Sequence, residues 1–143
     1  DGAHKEQGVE FLLAQLSPRG QQHLAQQHTA DQDNQATDKP ATIKMLFSML
    51  GDKDINKVVQ RLTTSGLPIS DWFIAEIDYP RAATTEHLQG ILASYVDDAQ
   101  IHEFARLQEA THAIISASQA QDLIVVCGSF HTIGEALSAL ETR

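Results

Sequence analysis

The stretch Asp122-Leu-Ile-Val-Val-Cys-Gly-Ser-Phe-His-Thr132, near the end of the 143-residue chain, carries the pattern that decides the fold. Its five residues from Leu123 to Cys127 are continuously apolar and rich in β-branched side chains. Such a run is typical of a strand that is covered on both faces, as in a parallel sheet. Gly128 then lets the backbone turn. The stretch therefore predicts a buried strand, a tight turn and the start of a helix.

Three polar side chains, Ser129, His131 and Thr132, follow this strand. In open α/β sheets, ligands bind at the carboxyl ends of the strands, and the free N–H groups of a following helix favour an anion there. No Gly-x-Ser-x-Gly elbow surrounds Ser129, so a hydrolase nucleophile is not indicated. The residues alone leave two interpretations open: a carboxylate-binding site, or a helix cap by Ser129 beside a solvated His131.

Composition places the chain among ordinary globular proteins, because 42% of its residues are hydrophobic and 20% are charged. The length allows one domain, residues 1–143, with a sizeable core. A formal net charge of −9 argues against nucleic acid as a partner, since phosphate binding needs a basic patch. No apolar run approaches the ~20 residues of a membrane span, so we expect no membrane partner.

The only cysteine of the chain, Cys127, rules out an internal disulfide and fits a reducing compartment. We therefore expect a cytoplasmic protein. Because Cys127 lies inside the predicted strand, a buried small hydrophobic side chain is favoured over a nucleophile. The histidines show no metal-ligand spacing, so the sequence predicts no metal site in this chain.

The first third of the chain is predicted to contain a helix and a loop. Val9, Leu12, Leu13 and Leu16 recur at helical spacing, which predicts an amphipathic helix over residues 6–17. Residues 20–41 are rich in Gln, Asp and Thr, which predicts an exposed, flexible polar loop.

From residue 43 onward, apolar runs alternate with helical stripes. This alternation predicts an α/β fold, with a mostly parallel sheet flanked by helices. The predicted strands cover residues 43–50, 72–77, 99–102 and 123–127. The predicted helix stripes contain Ile55 to Leu62, Leu88 to Tyr95, Phe104 to Ala117 and Ile133 to Leu140.

Four segments, which occur in the order of the family, resemble motifs of the bifunctional folylpolyglutamate synthase/dihydrofolate synthase family of the Mur ligase superfamily, and Asp122 lies where the last strand of that family begins. Val126–Thr132 is similar to its C-terminal signature, and Asp1-Gly-Ala-His4 is similar to its Asp-x-Ala-His-Asn-Pro motif. Phe47–Ile55 is similar to its Gly-Met-Leu-x-Asp-Lys-Asp segment, and Tyr79–Ala82 to its Pro-Arg-Ala turn. The resemblance implies a Rossmann-like domain of the Mur ligase C-terminal type. In the family a buried strand precedes the Asp-x-Ala-His motif, so we expect the first strand to be truncated here.

The resemblance also implies roles for particular residues. Asp1 would contact the ribose of ATP, and His4 would act beside the phosphates and the incoming amino acid. Ser129 and His131 would bind glutamate. The chain departs from the family where Lys5-Glu6 replaces Asn-Pro, which puts the local turn in question.

Two cations follow the other predicted strands. Arg81 is suited to bidentate carboxylate binding, and Lys53 could attract the same carboxylate. The alternative is an ordinary surface Arg at a proline turn, and a polar turn in which Asp52 or Asp54 caps the next helix.

No Gly-x-x-x-x-Gly-Lys-Ser/Thr phosphate loop is present in the sequence. The family carries its phosphate loop and Mg²⁺ ligands in an upstream ATPase domain, so the resemblance implies that this chain alone is inactive. It further implies an ATP- and Mg²⁺-dependent ligase that joins L-glutamate to dihydropteroate or folate through an acyl phosphate. Two alternatives stay open: another Mur ligase that acts on a peptidoglycan precursor, or a non-catalytic binding module of the same fold.

Overall fold

The computed structural model describes residues 10–16, 22–29 and 42–141, and within these it contains six strands and four α-helices. The strands are β1 (Glu10–Leu16), β2 (Gln22–Thr29), β3 (Ile43–Ser48), β4 (Ile69–Ile74), β5 (Ile101–Glu103) and β6 (Leu123–Gly128). The helices are α1 (Ile55–Thr63), α2 (Thr85–Leu92), α3 (Leu107–Ala117) and α4 (Phe130–Glu141). A 3₁₀ turn at Asp98–Gln100 leads into β5.

All six strands form one sheet in the order β2-β1-β6-β3-β4-β5. The neighbours among β6, β3, β4 and β5 are parallel, whereas β1 is antiparallel to both β6 and β2. The predicted α/β fold with a mostly parallel sheet is therefore confirmed. Because the four parallel strands point the same way, the loops that follow them gather at one edge.

The helix predicted over residues 6–17 is wrong for the part that the structure describes, because residues 10–16 form strand β1. Leu12 to Leu16 pair with Gly128 to Ile124 of β6. Without β1, the N–H and C=O groups along this side of β6 would lack partners, and unpaired buried backbone groups are costly. Pairing with β6 thus overrides the local helical spacing of the leucines.

The loop predicted over residues 20–41 is wrong for residues 22–29, which form strand β2 and pair with β1 from Glu10↔Thr29 to Leu16↔Gln22. Its sequence, QHLAQQHT, lacks the apolar alternation that normally marks a strand. Strand β2 is at the edge of the sheet and, among the described strands, is held by backbone hydrogen bonds to β1 alone. Because backbone pairing does not require apolar side chains, the composition of this segment does not indicate a strand. The rest of the predicted loop lies outside the described residues.

Both faces of the parallel sheet are covered. Helices α1 and α2 pack on one face around Trp72 and Phe47, whose rings meet edge to face at 5.5 Å. Helices α3 and α4 pack on the other face around a second apolar cluster that includes Ile114. Alternate residues of β6 supply the two clusters: Val126 belongs to the second and Cys127 to the first. The predicted two-sided burial of this strand is confirmed.

Burial also settles the chemistry of Cys127. Its side chain is fully buried, and burial raises the pKa of the thiol far above its usual range. The side chain therefore packs as a small hydrophobic group, as the sequence predicts. In the described ranges no helix is both long enough and apolar enough to cross a membrane.

Candidate functional site

The candidate site lies where β6, β3 and β4 end side by side. Ser48, the last residue of β3, is paired with Gly128 of β6, and Phe47 is paired with Ile74 of β4. Three connections start here: residues 49–54, residues 75–84 and the turn at residue 129. We call these connections and the first turns of α4 the carboxyl-edge site. It contains four of the predicted residues: Ser129, His131, Arg81 and Lys53.

Two buried hydroxyls tie the base of the site together. The Thr132 hydroxyl donates to the Ser48 carbonyl at 2.8 Å, and the Ser48 hydroxyl donates to the Ala75 carbonyl at 2.6 Å. Both side chains have no exposed surface. Because buried polar groups are costly when unpaired, these bonds hold the ends of β6, β3 and β4 in a fixed relation. Sequence reasoning marked Thr132 only as a polar neighbour and missed Ser48.

Gly128 allows this close approach. A Cβ at this position would collide with the Ser48 carbonyl oxygen and would lie 2.5 Å from the Thr132 hydroxyl oxygen. Real Cβ contacts are not so short, so only glycine fits between the end of β3 and the first turn of α4. The Gly-Ser-x-x-Thr pattern is the sequence signal that identifies this junction.

Ser129 acts as the cap of α4. Its side-chain oxygen accepts from the Thr132 backbone N–H at 3.3 Å, and the Thr132 hydroxyl oxygen accepts from the Ser129 backbone N–H at 3.2 Å. Such reciprocal bonds satisfy donors that a helix start leaves unpaired. The capping interpretation of Ser129 is therefore confirmed. Because the Ser129 side chain is half-buried and its cap pairs the N–H groups of Ser129 and Thr132, an anion would contact mainly the remaining N–H groups of the helix start.

His131 is exposed on the first turn of α4. Its imidazole stacks on the Tyr79 ring, with 3.8 Å between the ring centroids and 24° between the planes. One turn further along α4, a Glu135 carboxylate oxygen accepts from the Asp78 backbone N–H at 2.8 Å. Helix α4 is thus docked on the turn that follows β4. Sequence reasoning missed Tyr79 and Glu135, because nothing local indicates that the two segments meet.

Arg81 is held by a carboxylate of the protein itself. Its guanidinium lies 2.8 Å from an Asp52 oxygen, and both side chains are more than half exposed, at 61% and 52%. The Arg81 carbonyl also accepts from the Gly51 N–H at 2.7 Å, so the loops after β3 and β4 are joined. The cation is at the predicted edge, but a ligand carboxylate would compete with Asp52 for it.

Lys53 and its neighbours separate the alternatives that the sequence left open. Asp54, not Asp52, caps α1, by accepting from the Lys57 N–H at 3.2 Å. The Lys53 side chain is exposed and forms no ion pair with any side chain in the described part of the chain. It is therefore available to a ligand or to solvent.

Asp1 and His4 lie outside the described residues, as does Lys5-Glu6, so the residues predicted to meet the nucleotide are not among those placed here. Among residues 10–16, 22–29 and 42–141, no group of three or more His, Cys, Asp or Glu side chains could hold a metal ion.

Comparison with known proteins gives one consistent family. No protein-family model matches the chain. A curated relative, "Dihydrofolate synthase/folylpolyglutamate synthase" of Escherichia coli (strain K12), is 29% identical over 109 residues, which is 76% of this chain and 24% of the relative. The chain therefore spans about a quarter of the length of the curated relatives that it matches.

Solved structures agree with the curated relative. E. coli FolC in complex with DHPP and ADP matches with a TM-score of 0.63 and 29% identity, over 75% of this chain and 24% of that one. The bifunctional folylpolyglutamate synthase/dihydrofolate synthase of Yersinia pestis, complexed with AMPPNP and Mn ion, matches with a TM-score of 0.57 and 28% identity, over 70% and 22%. The chain is thus a homologue of dihydrofolate synthase/folylpolyglutamate synthase over about a quarter of that protein's length, consistent with the C-terminal part of FolC.

Proposed function

We propose that this chain is the glutamate-ligase portion of an ATP-dependent enzyme that joins L-glutamate to dihydropteroate or folate. The observation that carries the proposal is the similarity to dihydrofolate synthase/folylpolyglutamate synthase across three quarters of the chain. In a ligase of this kind, the carboxylate of the dihydropteroate or folate takes the terminal phosphoryl group of ATP and becomes an acyl phosphate, with release of ADP. The glutamate amine then attacks the acyl carbon, and inorganic phosphate leaves as the amide forms. ATP and Mg²⁺ supply that activation and are held mainly by an upstream ATPase domain. Alone, the present portion is inactive.

The task of this portion is to position glutamate. A rigid base and exposed polar groups suit that task, because fixed geometry lowers the barrier of a bimolecular step. Buried Ser48 and Thr132 supply the base. Exposed His131 and the N-terminal N–H groups of α4 face a substrate carboxylate from one side of the edge. Ser129 contributes mainly by capping the helix that presents these groups.

Arg81 and Lys53 complete the positive side of the site. Lys53, exposed and without an ion pair among the described side chains, attracts the glutamate carboxylates. Arg81 binds one of them in exchange for Asp52; exposed ion pairs contribute little to stability, so the exchange is inexpensive. Asp1 at the ATP ribose and His4 beside the phosphates belong to the same proposal.

The test is a kinetic comparison in the full-length protein that contains this chain. His131→Ala is expected to raise the KM for glutamate in glutamate-dependent ADP formation with dihydropteroate as acceptor. His87→Ala removes another exposed histidine, on α2, and serves as the matched control. An unchanged KM and turnover in His131→Ala would reject the site.

Acceptor specificity separates the proposal from its alternatives. Turnover with dihydropteroate or a folate, and none with nucleotide-linked muramyl substrates, is expected. Turnover with muramyl substrates would instead identify a peptidoglycan-precursor ligase. No glutamate-dependent ADP formation with either acceptor would indicate a non-catalytic binding module.

A further inference from the structure

The contact between α4 and the turn after β4 has two parts on one helix face. His131 and Glu135 are four residues apart, so their side chains lie one above the other. His131 meets the Tyr79 ring, and Glu135 accepts from the N–H of Asp78, the residue just before it. A ring contact and a charge-assisted hydrogen bond thus hold two adjacent residues of the same turn.

The turn itself is short and internally bonded. The Tyr79 N–H donates to the Ile77 carbonyl at 2.9 Å, and the Tyr79 carbonyl accepts from the Ala82 N–H at 3.1 Å. Ile77 is buried in the cluster beneath α4, which anchors the turn to the core. The Tyr79 ring is therefore carried on a fixed backbone and is itself half-buried.

We propose that Tyr79 is a positioning residue for His131 in glutamate binding, an inference that rests on the proposed function. An exposed histidine on the first turn of a helix samples several rotamers within nanoseconds. The Tyr79 ring covers one face of the imidazole and selects one rotamer, which leaves the ring edge, with its nitrogens, free to meet a carboxylate. Glutamate then binds without the entropic cost of ordering that side chain.

The stack needs the aromatic ring of Tyr79 and not its hydroxyl. No hydrogen bond joins the Tyr79 hydroxyl to any group in the described part of the chain. Phenylalanine at this position keeps the ring face and should preserve the function, whereas alanine removes it. This difference distinguishes positioning from a direct hydrogen bond to substrate.

The first experiment measures the steady-state kinetics of Tyr79→Ala and Tyr79→Phe in the full-length protein. Tyr79→Ala is expected to raise the KM for glutamate on the order of 2- to 10-fold, the range that one aromatic pair can account for, with kcat little changed. Tyr79→Phe should retain the original KM. Tyr95→Ala is the matched control, because this second tyrosine lies elsewhere, where its hydroxyl donates to Asn56 at 3.0 Å.

The double variant Tyr79→Ala/His131→Ala should have the same KM as His131→Ala alone, since Tyr79 then has nothing to position. A raised KM in His131→Ala with an unchanged KM in Tyr79→Ala overturns the inference and leaves the proposed function standing. An unchanged KM and turnover in His131→Ala overturns the proposed glutamate site and, with it, the inference.

The second experiment observes the stack itself by NMR of the His131 ring protons in the full-length protein. In the wild type and in Tyr79→Phe, these signals should carry an upfield ring-current shift. In Tyr79→Leu the shift should vanish while the other histidine signals keep their positions. Unmoved His131 signals in Tyr79→Leu would overturn the inference even if the KM had risen.

Discussion

Polar residues gather at both edges of the parallel sheet, but the two groups are held in different ways. At the amino edge, Lys44 lies 3.4 Å from Asp71 and 3.8 Å from Asp122, and Asp71 contacts His102 at 2.9 Å. We call these four residues the amino-edge network. Lys44 and Asp122 are only 13% and 6% exposed, so each charge is partly buried against an opposite one.

Hydrogen bonds reinforce the amino-edge network. The backbone N–H of Gln119 is the main group that holds the pKa of Asp122 below its usual range, with Thr42 and Lys44 acting in the same direction against burial. Burial acts to raise the pKa of Asp71, but His102, Ser70 and Lys44 together outweigh it and lower that pKa. The network is internally satisfied and offers a ligand little.

The carboxyl-edge site has the reverse arrangement. Its buried polar groups are the neutral hydroxyls of Ser48 and Thr132, while His131, Arg81 and Lys53 are exposed. The presence of a cluster of charged residues is therefore not enough to indicate a ligand site. What separates the two edges is whether the charged side chains are partly buried against one another or exposed to solvent above a buried, hydrogen-bonded base.

The largest expected effect comes from filling the space at Gly128. Gly128→Ala should destabilise the chain by about 3 kcal/mol, because the new Cβ overlaps the Ser48 carbonyl and forces the backbone apart. Gly134→Ala in the middle of α4 is the control: nothing lies within 4 Å, and a stabilisation of about 0.5–1 kcal/mol is expected. Urea unfolding measures both. Equal stabilities for the two variants would show that the junction is not close-packed.

The next effect is the loss of the Thr132 hydroxyl. Thr132→Val should cost about 2 kcal/mol, because the buried Ser48 carbonyl and the Ser129 N–H each lose a partner. Thr132→Ser keeps the hydroxyl and should recover most of that stability. If valine and serine were equally well tolerated in thermal unfolding, the hydroxyl contacts would not be what fixes the base of the site.

The amino-edge network is tested by Asp122→Asn, with an expected cost of about 1–2 kcal/mol at pH 7. A carboxylate with a lowered pKa contributes stability above the unfolded value of about 4, and that contribution is lost as pH falls through the lowered pKa. The difference between variant and wild type should therefore shrink below about pH 4. Exposed Glu103→Gln is the control, and a pH-independent difference would contradict the linkage.

The smallest effect is expected at the surface of the carboxyl-edge site. Asp52→Asn removes the partner of Arg81 but should change stability by less than about 0.5 kcal/mol, because both side chains are mostly exposed. If Arg81 binds glutamate, this variant should also lower the KM by removing a competing carboxylate. A stability loss as large as that of Asp122→Asn would erase the contrast between the two edges.

Much of the fold was predictable because its signals are local. The apolar run at Leu123–Cys127 is typical of a strand covered on both faces, and the helical stripe from Ile55 to Leu62 is typical of a helix that faces a core. The structure confirms both predictions. Capping is equally local: Asp54, one of the two aspartates that the sequence offers as a cap of α1, accepts from the Lys57 N–H at 3.2 Å. The prediction that polar residues after different strands lie at the same edge of the sheet is confirmed, because parallel strands end together. These residues are Ser129, His131, Arg81 and Lys53.

The failures have a common cause, which is that they depend on partners distant in sequence. Residues 10–16 have helical spacing but complete the side of β6, and residues 22–29 have a loop-like composition but complete β1. Tyr79 and Glu135 could not be found locally, because His131 and Tyr79 are 52 residues apart. The sequence also gave no sign that Arg81 would be paired with Asp52.

The sequence by itself determined the alternation of strands and helices that gives the parallel sheet. It also determined the two-sided burial of β6 and the edge of the sheet at which polar residues follow the strands. These depend on the period of apolar side chains and on turn chemistry, which act over a few residues. Only the tertiary structure decided which polar groups pair with one another within the protein and which remain exposed. It also decided that β1 pairs with the side of β6 that does not face β3. Those outcomes depend on contacts between distant segments, because pairing and burial are properties of neighbours in space.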